Sequence, residues 1–546
     1  MKRTLVVAGV GLLLLAGCGA PSTGSDGEDV RSTDHLVADP PTSGTYVADS
    51  GFRPDPDGFS FPNYGDEAGV AELGAAQLVE LFGQQACESP SGAVCRLGSP
   101  ATTWLQVMNN AAAGGHCEGM AALSQVFAAG VESPRTYGAE APYALPFDGN
   151  EPLQRDIARW FSTQATEPTQ GSETRGVSPV DVLDTLIATL GEQRTPENTY
   201  TLGIFQPEFA GGHAITPYAV EDRGDGIFWI MVYDNNFPGA ARAVAVDREN
   251  ETWSYLASTN PDAPESVYRG DADSGTLTLT PLAPRLAPQE CPFCAGETVG
   301  QTVADGTNQF SLTGPGAERA DTDFYLTDAA EQRLGRVSGV LVRDIPDGEI
   351  VPLAQGPGLA PAPFLETPAT LDTTVSISTE LAASTLDFAM IGAGYDVLIS
   401  GVDAPADSPA TVKLAADGSR IVYSQLPTAG PTVSAAVEND GGYLFDFAVD
   451  VIEFGAQGAE LTIASPDDRA DVALGATTSG RYRIEVTTVD PNDTERRFTF
   501  PDVTLEAGQQ LVLDFEQWQG ESAPQGRIAD GEGEPITTLN AVESGL

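Results

Sequence analysis

Residues 109–130 read Asn-Asn-Ala-Ala-Ala-Gly-Gly-His-Cys-Glu-Gly-Met-Ala-Ala-Leu-Ser-Gln-Val-Phe-Ala-Ala-Gly. Met120, Leu123 and Phe127 recur at the spacing of one helix face, which predicts a helix that begins at Cys117 and stops at Gly130. At a helix N-terminus, unpaired N–H groups and the positive end of the helix dipole favour a thiolate. Because the thiolate is the nucleophilic form of cysteine, we interpret Cys117 as a catalytic nucleophile.

The chain is strongly acidic and long. Its 546 residues include 27 basic and 78 acidic residues, which gives a formal net charge of −51. Such a surface repels the phosphates of nucleic acid and of anionic membranes, so we exclude nucleic-acid binding as a function. The length is sufficient for roughly two to four domains.

The N-terminus has the pattern of an export signal. A basic pair, Lys2 and Arg3, precedes an apolar run that ends at Ala16 and is too short for an ordinary transmembrane helix. The run ends Leu-Ala-Gly-Cys at residues 15–18, which resembles the lipobox of bacterial lipoproteins. The resemblance implies a signal peptide over residues 1–18, lipidation of Cys18, and an extracytoplasmic protein anchored to the cell envelope through lipid alone.

The remaining cysteines separate into two close pairs and one single residue. Cys87 and Cys95 flank a Pro/Ser/Gly loop, and Cys291 and Cys294 form a Cys-x-x-Cys motif without a βαβ context. Export favours disulfides, so we predict two local disulfides and leave Cys117 as the free thiol. A metal site at Cys-x-x-Cys would need further ligands, so we expect neither a metal nor a cofactor.

Changes in composition and in hydrophobic period divide the rest of the chain. Residues 19–60 are rich in Gly, Pro, Ser, Asp and Thr, which predicts a flexible stalk. Residues 61–262 show helical patterns followed by strands of period two, which predicts an α+β domain. Short strands between turn residues then predict a β-rich module at 263–400 and a β-sandwich module at 401–520, followed by a disordered tail at 521–546.

Few histidines are available to act as a base for Cys117. The chain has three histidines. His35 lies in the predicted stalk, and His116 is adjacent to the cysteine, so that the two side chains leave the helix start in different directions. His213, which follows two glycines and opens a predicted strand, is therefore the candidate base.

A candidate for orienting this base follows from the next predicted strand. Residues 227–233 form an apolar strand pattern that ends at Asp234. If this strand pairs antiparallel with the strand of His213, the end of one lies beside the start of the other. Asp234, or Asn235 or Asn236 just after it, then reaches the imidazole and fixes its tautomer.

The order Cys, His, Asp, with the cysteine at a helix start and the other two on successive strands, resembles the papain-like fold of thiol peptidases. Gly-His-Ala-Ile-Thr-Pro-Tyr-Ala-Val at 212–220 and Val-Tyr-Asp-Asn-Asn-Phe-Pro-Gly at 232–239 look like the His and Asp strands of bacterial papain-like proteins, including bacteriocin-processing peptidases. The resemblance covers about residues 61–260. It implies a papain-like hydrolase with a protein or peptide substrate, in which Cys117 is the nucleophile, His213 the base and Asp234 the orienting group.

The oxyanion donor and the reaction type stay open at this point. Ala111 occupies the position where papain-like enzymes place a glutamine, so the candidate donors are Asn109, Asn110 and the backbone N–H groups at Cys117. Transglutaminase-like proteins share the order Cys, His, Asp, which makes acyl transfer the first alternative to hydrolysis. The second alternative is a catalytically inactive adhesin or binding lipoprotein that acts through its β modules.

Overall fold

The computed structural model describes residues 45–67, 69–87, 95–294, 306–317, 319, 321–356, 362–381, 385–425, 430–438, 444–454, 459–464, 471–490, 494–514, 518 and 522–544. With 41% of the chain in strands and 21% in helices, the protein is a strand-rich α+β protein built from antiparallel sheets. The signal segment, Cys18 and His35 lie outside the described residues. Among the helices that are described, none combines the length and the apolar character that a membrane crossing requires.

The helices concentrate in the N-terminal part of the chain. They are α1 (Pro54–Asp57), α2 (Ala75–Phe82), α3 (Ser99–Ala112), α4 (Cys117–Ala128), α5 (Glu151–Ser162), α6 (Thr169–Ser172), α7 (Pro179–Thr189) and α8 (Leu282–Leu286). The start of α7 shows how local sequence sets a boundary. Ser178 accepts the backbone N–H of Asp181, whose carboxylate in turn accepts the Ser178 N–H, and Pro179 occupies the first helical position.

One antiparallel sheet accompanies these helices. Its strands are β1 (Tyr46–Asp49), β2 (Tyr200–Phe205), β3 (Gly212–Gly224), β4 (Ile227–Tyr233), β5 (Ala241–Asp247), β6 (Thr252–Ala257), β7 (Ser266–Asp271) and β8 (Leu277–Pro281). They lie in the order β7-β6-β5-β4-β3-β2-β8, and β1 pairs with β3. Helices packed on an antiparallel sheet make this part an α+β unit.

The rest of the chain forms two large antiparallel sheets around one core. The strands are β9 (Thr307–Thr313), β10 (Thr322–Thr327), β11 (Arg333–Val337), β12 (Val340–Arg343), β13 (Glu349–Val351), β14 (Phe364–Pro368), β15 (Thr373–Thr379), β16 (Leu386–Gly392), β17 (Tyr395–Val402), β18 (Ala410–Leu414), β19 (Arg420–Gln425), β20 (Thr432–Glu438), β21 (Leu444–Phe454), β22 (Ala459–Ala464), β23 (Asp471–Ala476), β24 (Gly480–Val489), β25 (Glu495–Leu505), β26 (Gln510–Asp514), β27 (Gln525–Ala529), β28 (Pro535–Asn540) and β29 (Val542–Ser544). Inward-facing residues of both sheets, from Phe310 to Ala541, share one apolar cluster, as in a β-sandwich.

Consecutive hairpins of this sandwich alternate between the two sheets. One sheet runs β12-β11-β10-β15-β18-β19-β22-β23-β26-β27-β28, and the other runs β13-β14-β9-β16-β17-β20-β21-β24-β25-β29. From β16 onward, each hairpin in one sheet is followed by a hairpin in the other. Each new pair therefore extends the sandwich beside the pair that came before it in the same sheet.

Several predicted domain boundaries are wrong. The stalk was predicted to continue to residue 60, yet β1 joins the first sheet, and Phe52 and Phe59 are buried. The boundary at 262 is wrong because β7 and β8 belong to the same sheet as β2. Apolar residues near the N-terminus of the described chain thus contribute to the α+β core, although the local composition is that of a linker.

The predicted division of the β part is also wrong. The boundary at residue 400 falls inside β17, and both sheets continue across it. The tail predicted to be disordered from residue 521 contains β27, β28 and β29, which close the two sheets. Its polar sequence reflects edge strands such as β28, most of whose side chains are exposed.

The α+β part and the sandwich share an apolar interface. Trp104 on α3 is fully buried against Phe82 and Phe293, in a cluster that also contains Phe364 of β14. The indole N–H of Trp104 donates to Oε1 of Gln309 on β9 at 3.1 Å. Helix α3 is thereby packed directly on the sandwich.

Both predicted disulfides are confirmed. Cys87 bonds to Cys95, and Cys291 bonds to Cys294. Among the described residues, Cys117 is the free cysteine, and it is buried.

Candidate active site

Cys117 is the first residue of α4, and close packing fixes the position of this helix. Gly119 lies against α5, where a Cβ atom would overlap the carbonyl oxygen of Ile157. Glu118 forms a buried ion pair with Arg285 of α8, and it also accepts a hydrogen bond from Thr201 of β2 at 3.1 Å. The start of α4 is therefore fixed against a second helix, a third helix and the sheet.

The loop before Cys117 passes close to other backbone. Gly115 has a φ of +152°, and a Cβ atom there would overlap the carbonyl oxygen of Gln355. The N–H of His116 donates to Oδ1 of Asn63 at 2.7 Å. The glycines that flank the nucleophile in the sequence thus permit a close approach of two chain segments.

His213 lies on β3 beside the end of β4. In this antiparallel pair, Thr216 is opposite Tyr233, so the segment that follows β4 passes next to His213. Nε2 of His213 lies 2.7 Å from Oδ1 of Asp234, and both side chains are fully buried. Of the three side chains that the sequence offered for this contact, Asp234 is the one that forms it.

Asp234 is bound on both carboxylate oxygens. Oδ1 also accepts the backbone N–H of Asn236 at 2.8 Å, and Oδ2 accepts the hydroxyl of Tyr255 on β6. Burial by itself would raise the pKa of Asp234, but the charge of His213 and these hydrogen bonds outweigh it and hold the pKa below its usual range. An ionised Asp234 accepts only, so Nε2 of His213 carries the proton of this contact, and in the neutral imidazole Nδ1 carries the lone pair.

Cys117 and His213 are brought together through Ala214. The backbone N–H of Ala214, the residue after His213, donates to Sγ of Cys117 at 3.3 Å. Nδ1 of His213 is buried and has no hydrogen-bond partner within the described chain. The described contact between the two residues thus runs through the Ala214 N–H, and Nδ1 is not hydrogen-bonded to Sγ.

Asn235 joins α4 to β3 at this point. Its Nδ2 donates to the carbonyl oxygens of Cys117 and of Ala214, both at 3.0 Å. Its backbone carbonyl accepts the N–H of Asn63 at 2.9 Å. One side chain therefore sets the spacing between the nucleophile's helix and the strand of the base.

Burial opposes ionisation of the Cys117 thiol. Burial raises the pKa of the Cys117 thiol well above its ordinary value, and the hydrogen bond from Ala214 offsets this only in part. The expectation of a thiolate at the helix start therefore does not describe this state of the site. Ionisation of the thiol requires transfer of its proton to a base.

Two polar residues near Cys117 are engaged elsewhere. The amide of Asn109, the candidate oxyanion donor, donates to the carbonyl oxygen of Leu73 at 3.2 Å. Both ring nitrogens of His116 are within 2.9 Å of an acceptor, the Tyr64 carbonyl or the Glu72 carboxylate. Asn110, the other amide candidate, is exposed on α3. The backbone N–H of Cys117, at the first helical position, is the third candidate considered for the oxyanion.

An extended piece of the sandwich part covers the cysteine. Residues Pro352–Gly356, which follow β13, are called the covering segment below. Its Ala354 packs in one apolar cluster with Cys117, Phe205 and Ala214. Cys117 and His213 have no exposed surface.

A cleft opens beside the covering segment. It is narrow, and Glu118, Gln164, Gln170, Phe205 and Ala354 are among its lining residues. Amide and carboxylate side chains thus line the space next to the nucleophile's helix. In the part of the chain that the structure describes, no cluster of His, Cys, Asp and Glu side chains has the composition of a metal site.

Sequence reasoning missed Tyr255 and gave Asn235 a different partner. Tyr255 lies on β6, which β5 separates from β4, and Asp234 follows the end of β4, so no local pattern indicates their contact. Asn235 was one of the candidates for contacting the His213 imidazole. Its side chain instead donates to the backbone carbonyl oxygens of Cys117 and Ala214. No family model, no curated protein and no solved structure matches the chain.

Proposed function

We propose that the α+β part of the chain is a papain-like cysteine hydrolase that cleaves peptide bonds, with Cys117 as nucleophile, His213 as base and Asp234 as the orienting group. One observation carries this proposal. Asp234 binds Nε2 of His213, and the next residue, Ala214, binds Sγ of Cys117, so that nucleophile, base and orienting group form one connected set. The papain-like assignment rests on this set together with the sequence resemblance.

The proposed reaction begins with a proton transfer from Sγ of Cys117 to Nδ1 of His213. The thiolate attacks the carbonyl carbon of the substrate, and the backbone N–H of Cys117 binds the oxyanion. His213 returns its proton to the departing amine, which leaves a thioester on Cys117. Water, deprotonated by the same nitrogen, then hydrolyses the thioester and regenerates the thiol.

A pair of variants tests this proposal directly. Cleavage of reduced, carboxymethylated casein is measured for the wild-type chain, for Cys117→Ala, and for a control that lacks Cys291 and Cys294. We expect cleavage by the wild type and the control and none by Cys117→Ala. Full activity of Cys117→Ala would exclude Cys117 as the nucleophile.

Acyl transfer is a second candidate, supported by the enclosure of the site. Cys117 and His213 have no exposed surface, and an apolar cluster surrounds the sulfur. Exclusion of water would allow an amine to intercept the thioester. Mass analysis of products formed with and without a primary amine distinguishes the two reactions, because transfer adds the amine to the acyl fragment.

A non-catalytic adhesin or binding lipoprotein is a third candidate, supported by the burial of the thiol. Burial raises the pKa of Cys117, as expected for a cysteine that serves only as a small apolar side chain. In that case the large sandwich would carry the binding function. This candidate is favoured over the hydrolase if no variant cleaves casein. The comparison includes variants in which Cys117 is covered and variants in which it is exposed.

We further propose that the protein is exported, lipidated at Cys18 and tethered to the cell envelope. Two disulfides in the folded part are compatible with an oxidising compartment. Metabolic labelling with a palmitate analogue is expected to mark the wild-type chain and not Cys18→Ser. Equal labelling of both chains would contradict this assignment.

A further inference from the structure

The covering segment is bound through its backbone by the α+β part. Oε1 of Gln164 accepts the N–H of Ala354 at 2.7 Å, and Nε2 of Gln164 donates to the Ala354 carbonyl at 3.4 Å. One side chain thus satisfies both backbone groups of the residue that covers Cys117. Contacts of this kind recognise an extended chain whatever its side chains are.

Two further contacts continue the same arrangement. Nδ2 of Asn63 donates to the carbonyl oxygen of Gln355 at 3.0 Å. The N–H of Gly356 donates to the carbonyl oxygen of Gly212 at 3.0 Å, in an antiparallel bridge to the start of β3. The segment therefore forms one antiparallel bridge with β3 immediately before the candidate base, His213.

The side chains of the segment occupy distinct environments. Leu353 is buried in the apolar cluster beneath α3, and Ala354 lies against Cys117. Oε1 of Gln355 accepts the N–H of Gly114 at 3.2 Å. A large apolar residue followed by a small one thus fits the groove at the nucleophile.

We propose that the covering segment is an internal occupant of the peptide-binding groove, and that the same groove binds the extended backbone of the substrate once the segment leaves. This inference rests on the proposed function, because it identifies the groove with that of the hydrolase. Activity of the wild-type chain is then limited to the fraction of molecules in which the segment has locally opened. The favoured substrate is an extended peptide with a large apolar residue followed by a small residue beside the cysteine.

Blocking of the groove by the segment is tested by alkylation of Cys117 with iodoacetamide in the native full-length chain near neutral pH. The combined substitution Leu353→Ala and Gln355→Ala removes the apolar anchor and one hydrogen bond of the segment. We expect labelling at least about tenfold faster than in the wild type, because local opening becomes easier. Thr103→Ala is the matched control, since Thr103 contacts the sandwich at Asp396 and not at the segment, and it is expected to label at the wild-type rate.

A second variant covers the case in which the double substitution does not fold. Gln164→Ala leaves the segment unchanged and removes both contacts to Ala354. It is expected to speed labelling in the otherwise wild-type chain. Equal labelling rates in the wild type, the folded double variant and Gln164→Ala would overturn the inference.

Peptide binding to the groove is tested by protection from alkylation. Acetyl-Pro-Leu-Ala-Gln-Gly-amide is expected to slow alkylation of the double variant, and a scrambled peptide is not. Gln164→Ala in the double variant should abolish this protection. Absence of protection, or equal protection by the scrambled peptide, would overturn the substrate part of the inference.

Alkylation does not require turnover, so the two proposals fail separately. If the double variant is labelled rapidly and protected by the peptide but does not cleave casein, the proposal about the covering segment holds and the hydrolase proposal is refuted. If the wild-type chain cleaves casein and is labelled as fast as the variants, the hydrolase proposal holds and the proposal that the segment blocks the groove is refuted.

Discussion

Nε2 of His213 lies 2.7 Å from Oδ1 of Asp234, and neither side chain is exposed. The same carboxylate accepts the Tyr255 hydroxyl on its other oxygen. Rotation of the imidazole would break a buried hydrogen bond to a charged group, which costs about 1.5–3 kcal/mol or more. The ring is therefore fixed with Nε2 toward Asp234, and in the proposed mechanism Nδ1 is the nitrogen that exchanges a proton with Cys117.

Tyr255→Phe should weaken this fixation. Without the hydroxyl, Oδ2 of Asp234 is left unpaired in a buried site, so the pKa of Asp234 rises and unfolding becomes easier by about 1–3 kcal/mol. The acid limb of the pH dependence of kcat/KM should move to higher pH. Tyr233→Phe is the matched control, because its hydroxyl accepts the N–H of Phe59 and does not contact Asp234. Superimposable pH profiles for the two variants would contradict the role of Tyr255.

Asn235→Ala and Asn109→Ala should differ strongly. Asn235 holds the Cys117 and Ala214 carbonyls, so its loss should lower kcat by about 100-fold, the scale on which misplacement of about 1 Å acts. The Asn109 side chain donates to the carbonyl oxygen of Leu73, so its loss should change kcat by less than about threefold. Removal of a true oxyanion donor would instead lower kcat by about 10²–10³-fold. Initial rates on one peptide substrate measure both. A 100-fold loss in Asn109→Ala would restore it as the oxyanion donor.

Gly119→Ala should displace α4 from α5. The added methyl group would overlap the carbonyl oxygen of Ile157, an atom of rigid backbone. We expect destabilisation by about 1–3 kcal/mol in urea unfolding, together with reduced activity. Gly191→Ala is the control, since a methyl group there meets no atom within 4 Å, and its stability should stay close to that of the wild type. Equal stability of the two variants would show that α4 tolerates the displacement.

Asp396→Asn should change how stability depends on pH. Burial raises the pKa of Asp396 to about 6, above the value of about 3.9 for the unfolded chain. Between these values the folded chain binds more protons, so wild-type stability falls as the pH rises from 4 to 7. The asparagine variant lacks this loss. From pH 4 to pH 7, its free energy of unfolding should therefore rise by about 3 kcal/mol relative to that of the wild type. Urea titrations at pH 4 and pH 7 measure the difference.

The exposed Asp262→Asn serves as the control for this pH experiment, because it removes the same charge outside the interface. Its stability relative to the wild type should be the same at both pH values. If Asp396→Asn behaves like Asp262→Asn, the buried carboxyl does not carry the predicted penalty.

Local patterns were sufficient for the central elements of the site. The helix that starts at Cys117 follows from apolar spacing, and the strands of His213 and Asp234 follow from their alternation and the turn residues between them. Those strands are adjacent in sequence, so an antiparallel pairing could be assumed. The contact between Asp234 and Tyr255 and the position of the covering segment depend on long-range register, which no short window of sequence contains.

The error at residue 400 has a similar origin. Gly401 and the residues after it look like a linker, yet Gly401 lies inside β17 with a φ of +77°. Its N–H donates to Oδ1 of Asp387 at 3.0 Å, where the pairing of β16 and β17 shifts register. A glycine that accommodates a β-bulge has the same local signature as one that ends a domain.

The alternation of hairpins between the two sheets gives the sandwich an additive architecture. Each hairpin from β16 to β27 contacts its neighbours along the sheets and the opposing hairpins, so stability accumulates nearly unit by unit, as in other repetitive folds. Gain or loss of one four-strand unit would alter the length of the sandwich while preserving its cross-section. Length could then vary in evolution without changing the contact with Cys117, which Ala354 makes among the described residues of the sandwich part.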